Sequence, residues 1–336
     1  MKQKNSITEN IVYFLAIAFI PLLVFVPQPE VSAMFTYISL AVAAPIALVM
    51  LSFTISFLRG KWLVCVYAVL SVALAYLITG NIFLSVVPVI SYFPAAMALN
   101  IALKKDKQIS AALFSAVLAT IIGYILLAVI YVYVRTKGLD VAAIKQAFAP
   151  AVNNYNNYFA NLENFYSQNE NFKGYTDIFR QIKTLIDNSI ILQLPSLIIQ
   201  WIILQTFVAL LAAKNILKTK GVENLPDFTK LRFSKSAVIA FLISFIIASF
   251  FSNPDMALAA AYLFNVLNAM FYCFGVISIF WVFNNIKFVS KYKSWSVWLV
   301  IIASVLGGIT FLAAIGAFDT LFGIREKLKD REEQGI

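Results

Sequence analysis

The sequence predicts an all-helical integral membrane protein, a bundle of about nine transmembrane helices with a helical hairpin outside the membrane. Three observations support this class. Of the 336 residues, 61% are hydrophobic and only 12% are charged, whereas soluble domains carry roughly 25% charged residues. Several apolar runs reach the ~20 residues that a helix needs to cross a bilayer. In lipid such runs must be helical, because a helix satisfies its own backbone hydrogen bonds.

Nine apolar runs are the candidate spans. They cover roughly residues 11–27, 35–58, 62–79, 82–103, 109–134, 189–213, 236–252, 257–284 and 295–317. With the N-terminus inside, the inner connections carry 16 basic and 4 acidic residues, and the outer segments carry 10 and 12. Cytoplasmic loops collect Lys and Arg. The pattern therefore predicts the N-terminus inside and the C-terminus outside.

Two of these runs allow another interpretation. Residues 82–103 contain Pro88 and Pro94, so this segment could be kinked or re-entrant. Removing it would reverse the charge pattern of every later loop, and it is therefore retained as a span. Residues 11–27 follow two lysines and precede Val31-Ser32-Ala33, which resembles a signal-peptide cleavage site. The apolar region is long for a signal peptide, and cleavage would leave the remaining topology unchanged.

One long polar segment, residues 136–188, lies on the predicted outer side. Its apolar residues recur at alternating steps of three and four, which is typical of amphipathic helices. A polar break near residue 169 divides the pattern, so a helical hairpin is predicted, and Pro150 should kink or split its first helix.

The predicted organisation has four parts. They are an N-terminal bundle of five spans (1–135), the extracytoplasmic hairpin (136–188), a C-terminal bundle of four spans (189–318) and a charged interfacial tail (319–336). Asp319 is a candidate cap for a helix in the tail.

The residue types exclude most catalytic chemistry, and we expect no enzyme, metal or cofactor. The sequence contains no histidine, the commonest general base and metal ligand, so a Ser–His or Cys–His pair cannot form. Cys65 and Cys273 lie in apolar runs without metal-ligand spacing. No phosphate-binding loop of the Gly-x-x-x-x-Gly-Lys type occurs, so ATP-driven work would require another subunit.

Two polar stripes are candidate ligand-binding surfaces. Gln193, Ser196 and Gln200 share one face of the sixth span, and Asn265 and Asn268 share one face of the eighth. Amides and hydroxyls can bind a small neutral molecule inside a membrane. Alternatively, these side chains form ordinary hydrogen bonds between helices, worth on average ~0.6 kcal/mol each. The spans carry charged residues only near their ends, which argues against a carrier with a buried carboxylate relay.

Small residues at four-residue spacing predict close helix packing. They are Ala111, Ser115, Ala119 and Gly123 on the fifth span, and Ala257 and Ala261 on the eighth. The partner helix lies either within the chain or in a second copy, so a homo-oligomer stays open.

The basic inner loop at residues 214–235 carries six basic and two acidic residues. Anionic lipid headgroups attract such a segment by ~1 kcal/mol per basic residue, and a cytoplasmic protein is the alternative partner. Nucleic acid is not expected, because aromatic residues are not interleaved with the charges.

Three short stretches resemble the YybS-like family of bacterial membrane proteins, a domain of unknown function. They are Ile190-Ile191-Leu192-Gln193-Leu194-Pro195-Ser196, then Asn224-Leu225-Pro226-Asp227-Phe228 followed by Leu231-Arg232-Phe233, and Gly316-Ala317-Phe318-Asp319 followed by Arg325. The resemblance runs from about residue 80 to 330.

The N-terminal half of that family is itself similar to the substrate-binding subunits of energy-coupling-factor vitamin transporters, and residues 62–134 fit that similarity. The resemblance implies a non-enzymatic component that binds or transports a small neutral solute with an energising partner. The competing hypothesis is a structural or assembly protein that holds partners through its outer hairpin and basic inner loop.

Overall fold

The computed structural model describes residues 7–19, 32–104, 109–168, 176–185, 191–222 and 233–333, and all regular structure within these ranges is helical. The helices are α1 (Ile7–Phe19), α2 (Ser32–Arg59), α3 (Lys61–Thr79), α4 (Ile82–Lys104), α5 (Ile109–Thr136), α6 (Val141–Gln168), α7 (Thr176–Leu185), α8 (Ile191–Thr219), α9 (Lys235–Phe250), α10 (Pro254–Asn285), α11 (Lys287–Ser290), α12 (Trp295–Leu306), α13 (Gly308–Phe322) and α14 (Ile324–Glu333). The predicted all-helical class is confirmed for this part of the chain.

Five helices in the described ranges are long and apolar enough to cross a membrane, namely α3, α4, α5, α8 and α10. They correspond to the third, fourth, fifth, sixth and eighth predicted spans. Helix α4 continues through Pro88 and Pro94 as a single helix of 23 residues, which supports its retention as a span.

The remaining predicted spans are less complete. Helix α1 covers part of the first, whose residues 20–27 lie outside the described ranges. Helix α2 covers the second with 28 residues, and α9 covers the seventh with 16. The count of nine spans and their sidedness stay predictions.

The predicted ninth span is divided between two helices in the structure. Residues 295–317 do not form one helix, because α12 ends at Leu306 and α13 begins at Gly308. Gly308 has φ 66°, a left-handed conformation that costs glycine little and ends a right-handed helix. Helices α12 and α13 have 12 and 15 residues, each fewer than the ~20 that cross a bilayer.

The chain divides into two compact units, the first comprising Met1–Tyr124 with Ile199–Ile336 and the second Ile125–Ile198. Residues from both predicted membrane bundles therefore contribute to the first unit. Its core contains large, fully buried side chains from four helices: Phe53 of α2, Tyr92 and Leu99 of α4, Phe207 of α8 and Phe274 of α10.

The second unit contains the predicted outer hairpin as α6 and α7. The Asp140 carboxylate accepts a hydrogen bond from Ala143 N (2.7 Å) in the first turn of α6. Across the helix pair, Arg180 forms an ion pair with Glu163 at 2.5 Å. Pro150 lies inside α6 without splitting it. The helical content of the hairpin is confirmed, whereas its place outside the membrane stays a prediction.

Candidate functional site

A cavity of about 230 Å³ lies between α5, α8 and α10 in the first unit; we call it the apolar cleft. Its wall is formed by Ser110, Leu113, Phe114, Val117, Leu118 and Ile121 of α5, Ile199, Ile203 and Phe207 of α8, Phe233, and Val266, Met270, Cys273 and Phe274 of α10. The residues from each helix recur at steps of three and four, so each helix contributes one face.

The lining of the apolar cleft sets what it can bind. No charged side chain is among the lining residues, and Ser110 and Cys273 supply the only side-chain heteroatoms besides the Met270 sulfur. The Cys273 thiol donates to the Ala269 carbonyl oxygen of its own helix (3.2 Å) and behaves as a small apolar side chain. The described lining can therefore hold an apolar molecule by packing.

The opposite face of α10 is closed by α13. A Cβ atom added at Gly275 would collide with the Leu312 carbonyl oxygen, and one added at Gly316 would collide with the Phe271 carbonyl oxygen. The two backbones are therefore in direct contact, which only small residues allow. Near this contact the Asn268 amide donates to the Thr310 hydroxyl at 3.3 Å.

A buried ion pair lies at the C-terminal end of this contact. The Asp319 carboxylate of α13 accepts from Arg325 Nε at 2.5 Å and from the Arg325 backbone N–H at 3.1 Å. The Ser278 hydroxyl of α10 donates to the same carboxylate at 2.8 Å. Asp319 is 5% exposed and Arg325 is 8% exposed. Several partners thus compensate for taking two charges out of water, which one partner alone does poorly.

This arrangement modifies the prediction that Asp319 caps the tail. Asp319 lies inside α13 rather than in front of α14, because Gly323, with φ 59°, ends α13 four residues later. Its side chain nevertheless accepts a backbone N–H from the first turn of α14. The carboxylate therefore has the chemical role of a cap from a position one turn earlier in the chain.

A second group of buried polar side chains lies near the middle of α3, α4 and α8. Gln205 of α8 donates from Nε2 to the Ser91 carbonyl oxygen of α4 at 3.3 Å. Among the described residues, the hydroxyls of Ser71, Tyr92 and Thr206 are buried without a hydrogen-bond partner of ordinary geometry, although the Ser71 side chain lies close enough to interact with the Tyr92 hydroxyl. These residues are fully packed in the core and line neither the apolar cleft nor a smaller cavity beside Asp319.

The five predicted ligand-binding residues come from α8 and α10 and fall in both compact units. Gln193 and Ser196 belong to the second compact unit, and Gln200, Asn265 and Asn268 belong to the first. Ser196 donates to the Gln193 carbonyl oxygen at 2.8 Å, within its own helix. None of the five lines the apolar cleft. Asn268 instead bonds to α13, as the alternative of interhelical hydrogen bonding expects, and ligand binding by the five stays a prediction.

The small-residue stripes lie close to, but not on, the most buried faces. On α5, Ala111 is exposed and Ser115 and Ala119 are partly exposed, whereas the neighbouring Ala112, Ala116 and Thr120 are fully buried. Gly123 packs against Ile90 and Pro94 of α4. On α10, Ala257 and Ala261 are partly buried. On α5 the deeply buried small residues lie beside the predicted stripe, whereas on α10 they lie farther along it.

Two features of the candidate site were missed from the sequence. The apolar cleft joins residues more than 150 positions apart, and no local pattern marks such a site. The α10–α13 contact did carry a signal, since Gly275 and Gly316 are isolated glycines inside apolar runs. An isolated glycine in a helical pattern often has a packing reason.

Comparison with known proteins gives one match. The model of a family described as "Predicted membrane protein (DUF2232)" matches residues 10–320. No curated protein and no solved structure matches the chain significantly. The family match agrees with the apolar helices and leaves the activity open.

Proposed function

The chain belongs to the DUF2232 family of predicted membrane proteins, and on that premise we propose that it is a non-enzymatic component of a bacterial cytoplasmic membrane that captures a small neutral, mainly apolar molecule. The observation that carries the proposal is the apolar cleft between α5, α8 and α10. A concave and mostly apolar pocket is the default binding site in a protein of unknown activity.

The membrane setting defines the class of ligand. A molecule already dissolved in lipid gains no hydrophobic free energy by entering the cleft, because lipid tails are as apolar as leucine side chains. Binding must instead come from dispersion contacts with a matching shape. Aromatic walls such as Phe114, Phe207 and Phe274 favour a compact ring or a branched chain over a flexible acyl chain, which would lose more conformational entropy.

Transport is the further step of the proposal, and the YybS-like resemblance and its similarity to energy-coupling-factor subunits motivate it. The sequence contains no Gly-x-x-x-x-Gly-Lys loop, so directional transport would need an energising membrane partner. The cleft would then serve as the substrate-binding part of a larger assembly.

The test is native mass spectrometry of the full chain extracted in native lipid nanodiscs. Val117→Trp places an indole in the cleft, because Val117 lines it. Ile122→Trp is the matched control, since Ile122 lies on the same helix, is 47% exposed and does not line the cleft. We expect one apolar molecule at fixed stoichiometry with the unmodified chain and with Ile122→Trp, and its loss with Val117→Trp. Equal retention in all three, or bulk lipid alone in all three, would overturn the proposal.

A scaffold function is the second candidate, and one observation favours it. On α6, Val141, Ile144 and Val152 are 69%, 44% and 54% exposed, an unusual density of exposed apolar side chains for a helix with polar neighbours. Deleting residues 140–186 should then remove a membrane-protein partner in a pull-down, while the molecule in the cleft stays bound. The solute-capture proposal expects no such loss of a partner.

A further inference from the structure

Helices α12 and α13 come from a segment whose sequence predicts a single crossing of the membrane. At 1.5 Å per residue, helices of 12 and 15 residues are about 18 Å and about 22 Å long. Neither reaches across the ~30 Å hydrocarbon core. Together they would cross it only if they continued in one direction.

Contacts with α10 show that they do not continue in one direction. Asn268 bonds to Thr310, and Ser278 bonds to Asp319. Residue numbers therefore increase together along both helices, so α13 runs parallel to α10. Helix α12 starts ten residues after α10 ends and must return along it before α13 can begin. The Tyr272 and Ser304 hydroxyls, 3.1 Å apart, place the end of α12 beside the middle of α10.

The turn between α12 and α13 marks how far this hairpin reaches. It lies at Gly307–Gly308, just before Thr310, which contacts Asn268. Asn268 is 14 residues beyond the start of α10 at Pro254, so about 21 Å of α10 extends past the tip. The tip of the hairpin therefore lies well short of the N-terminal end of α10, which is at Pro254.

A separate observation places the end of α13 on the same side as the basic inner loop. Phe233, which follows that loop and precedes α9, lines a cavity of about 60 Å³ together with Asp319, Gly323 and Arg325. Had α12 and α13 crossed the membrane, Asp319 would lie at the opposite face from Phe233.

The distribution of basic residues identifies the side of the membrane on which α10 and α13 end. Lys287, Lys291 and Lys293 follow α10, and the connection before α10 at residues 251–253 carries no basic residue. Cytoplasmic segments are the basic ones. The end of α10, the basic inner loop and the end of α13 are therefore cytoplasmic.

We propose that α12 and α13 form a re-entrant hairpin that enters the membrane from the cytoplasmic face, and that the C-terminal tail containing α14 lies in the cytoplasm. The Asp319–Arg325 ion pair and Ser278 fasten the returning end of the hairpin to α10. This assignment reverses the predicted outer location of the C-terminus. It does not depend on what occupies the apolar cleft.

The experiment is cysteine labelling of the full chain with a membrane-impermeant maleimide, before and after cell permeabilisation. Lys327→Cys reports the tail, Lys293→Cys reports the cytoplasmic end of α10, and Ser252→Cys reports its opposite end; all three positions are exposed. Cys65 and Cys273 are replaced by serine in every variant.

We expect Lys327→Cys to behave like Lys293→Cys, with at least a tenfold increase in labelling on permeabilisation, while Ser252→Cys labels in intact cells. Labelling of Lys327→Cys in intact cells would overturn the hairpin. Should a cysteine variant fail to accumulate, a C-terminal fusion decides instead. A fluorescent protein that folds in the cytoplasm should be bright, and alkaline phosphatase, which is active outside, should be inactive; the reverse pattern would also overturn the proposal.

Discussion

The two faces of α10 differ in how they meet their neighbours. On one face, Gly275 allows backbone contact with α13, and Asn268 and Ser278 form hydrogen bonds across the contact. On the other face, Val266 and Met270 line a cleft that none of the described helices fills. Both faces belong to the same helix at the same depth, so neither depth nor overall hydrophobicity explains the difference.

The difference shows what closes a helix contact in lipid. Apolar side chains have no preference for each other over lipid, so contact requires small residues, close backbones and hydrogen bonds. The α13 face has all three. On the cleft face, large rings such as Phe207 and Phe274 hold the helices apart and leave space for a ligand.

Breaking the ion pair should have the largest effect on the closed face. Arg325→Ala leaves the Asp319 carboxylate buried without its charged partner, and we expect a loss of about 3–5 kcal/mol of unfolding free energy. Denaturant titration in detergent micelles measures it. Lys327→Ala, an exposed change on the same helix, is the control. Equal stability of the two variants would show that the ion pair does not hold the hairpin.

Adding a methyl group to the glycine contact should have the next largest effect. In Gly316→Ala the new Cβ would collide with the Phe271 backbone. We expect the free energy of unfolding to fall by about 1–3 kcal/mol, as in overpacked cores. Gly123→Ala is the matched control, because its Cβ would meet the flexible Ile90 side chain at 3.2 Å. The same titration compares them. If both changes are equally tolerated, backbone contact does not distinguish the two faces.

Removing a single hydrogen bond from the closed face should have a smaller effect. Asn268→Leu removes the 3.3 Å bond to Thr310, and also a buried amide oxygen that has no hydrogen-bond partner among the described residues. We expect the free energy of unfolding to fall by about 0.6 kcal/mol, the average for such bonds in membranes. The molecule in the apolar cleft should be retained. Loss of that molecule would instead support the sequence prediction that Asn268 binds ligand.

The smallest effect is expected for the buried Tyr92 hydroxyl. It has no partner of ordinary hydrogen-bond geometry among the described residues, so Tyr92→Phe should leave the stability unchanged or raise it slightly. A loss of about 1–3 kcal/mol would mean that a buried water or polar molecule bonds to this hydroxyl. The polar group near the middle of α3, α4 and α8 would then be a second binding site.

The sequence predicted most of the fold because apolar length and helical periodicity are local properties. The runs that became α3, α4, α5, α8 and α10 have the length and composition that lipid requires. Apolar length does not report direction, however, so residues 295–317 were predicted as one span although Gly307–Gly308 divides them. A Gly-Gly pair is a local turn signal, and it is the feature that could have revealed the hairpin.

Charge does not distinguish a single span from a hairpin here. The tail from residue 319 onward carries four basic and five acidic residues, so moving it across the membrane hardly changes the balance between inside and outside. The positive-inside rule therefore does not predict on which side of the membrane the tail lies. The proposed location of the tail rests instead on the contacts of Asp319 with Ser278 and Arg325, which join residues on three helices.

The candidate site was less predictable than the fold. Polar stripes are visible in a sequence, which is why Gln193 and Asn268 were selected. An apolar cleft is defined by space that remains between helices, and its lining residues have the same composition as the core. The packing direction of α5, with Ala112 and Ala116 buried beside the predicted stripe, likewise depends on tertiary neighbours.

The distance between the two ends of residues 295–322 tests the hairpin most directly. Nitroxide labels at Trp295→Cys and Phe322→Cys, both at exposed positions, can be measured by pulsed electron spin resonance in lipid nanodiscs. A re-entrant hairpin places its ends side by side, and we expect a distance below roughly 25 Å from helices that rise 1.5 Å per residue in opposite directions. A distance near 40 Å, the length of about 27 residues in one continuous helix, would contradict the hairpin and restore a ninth span.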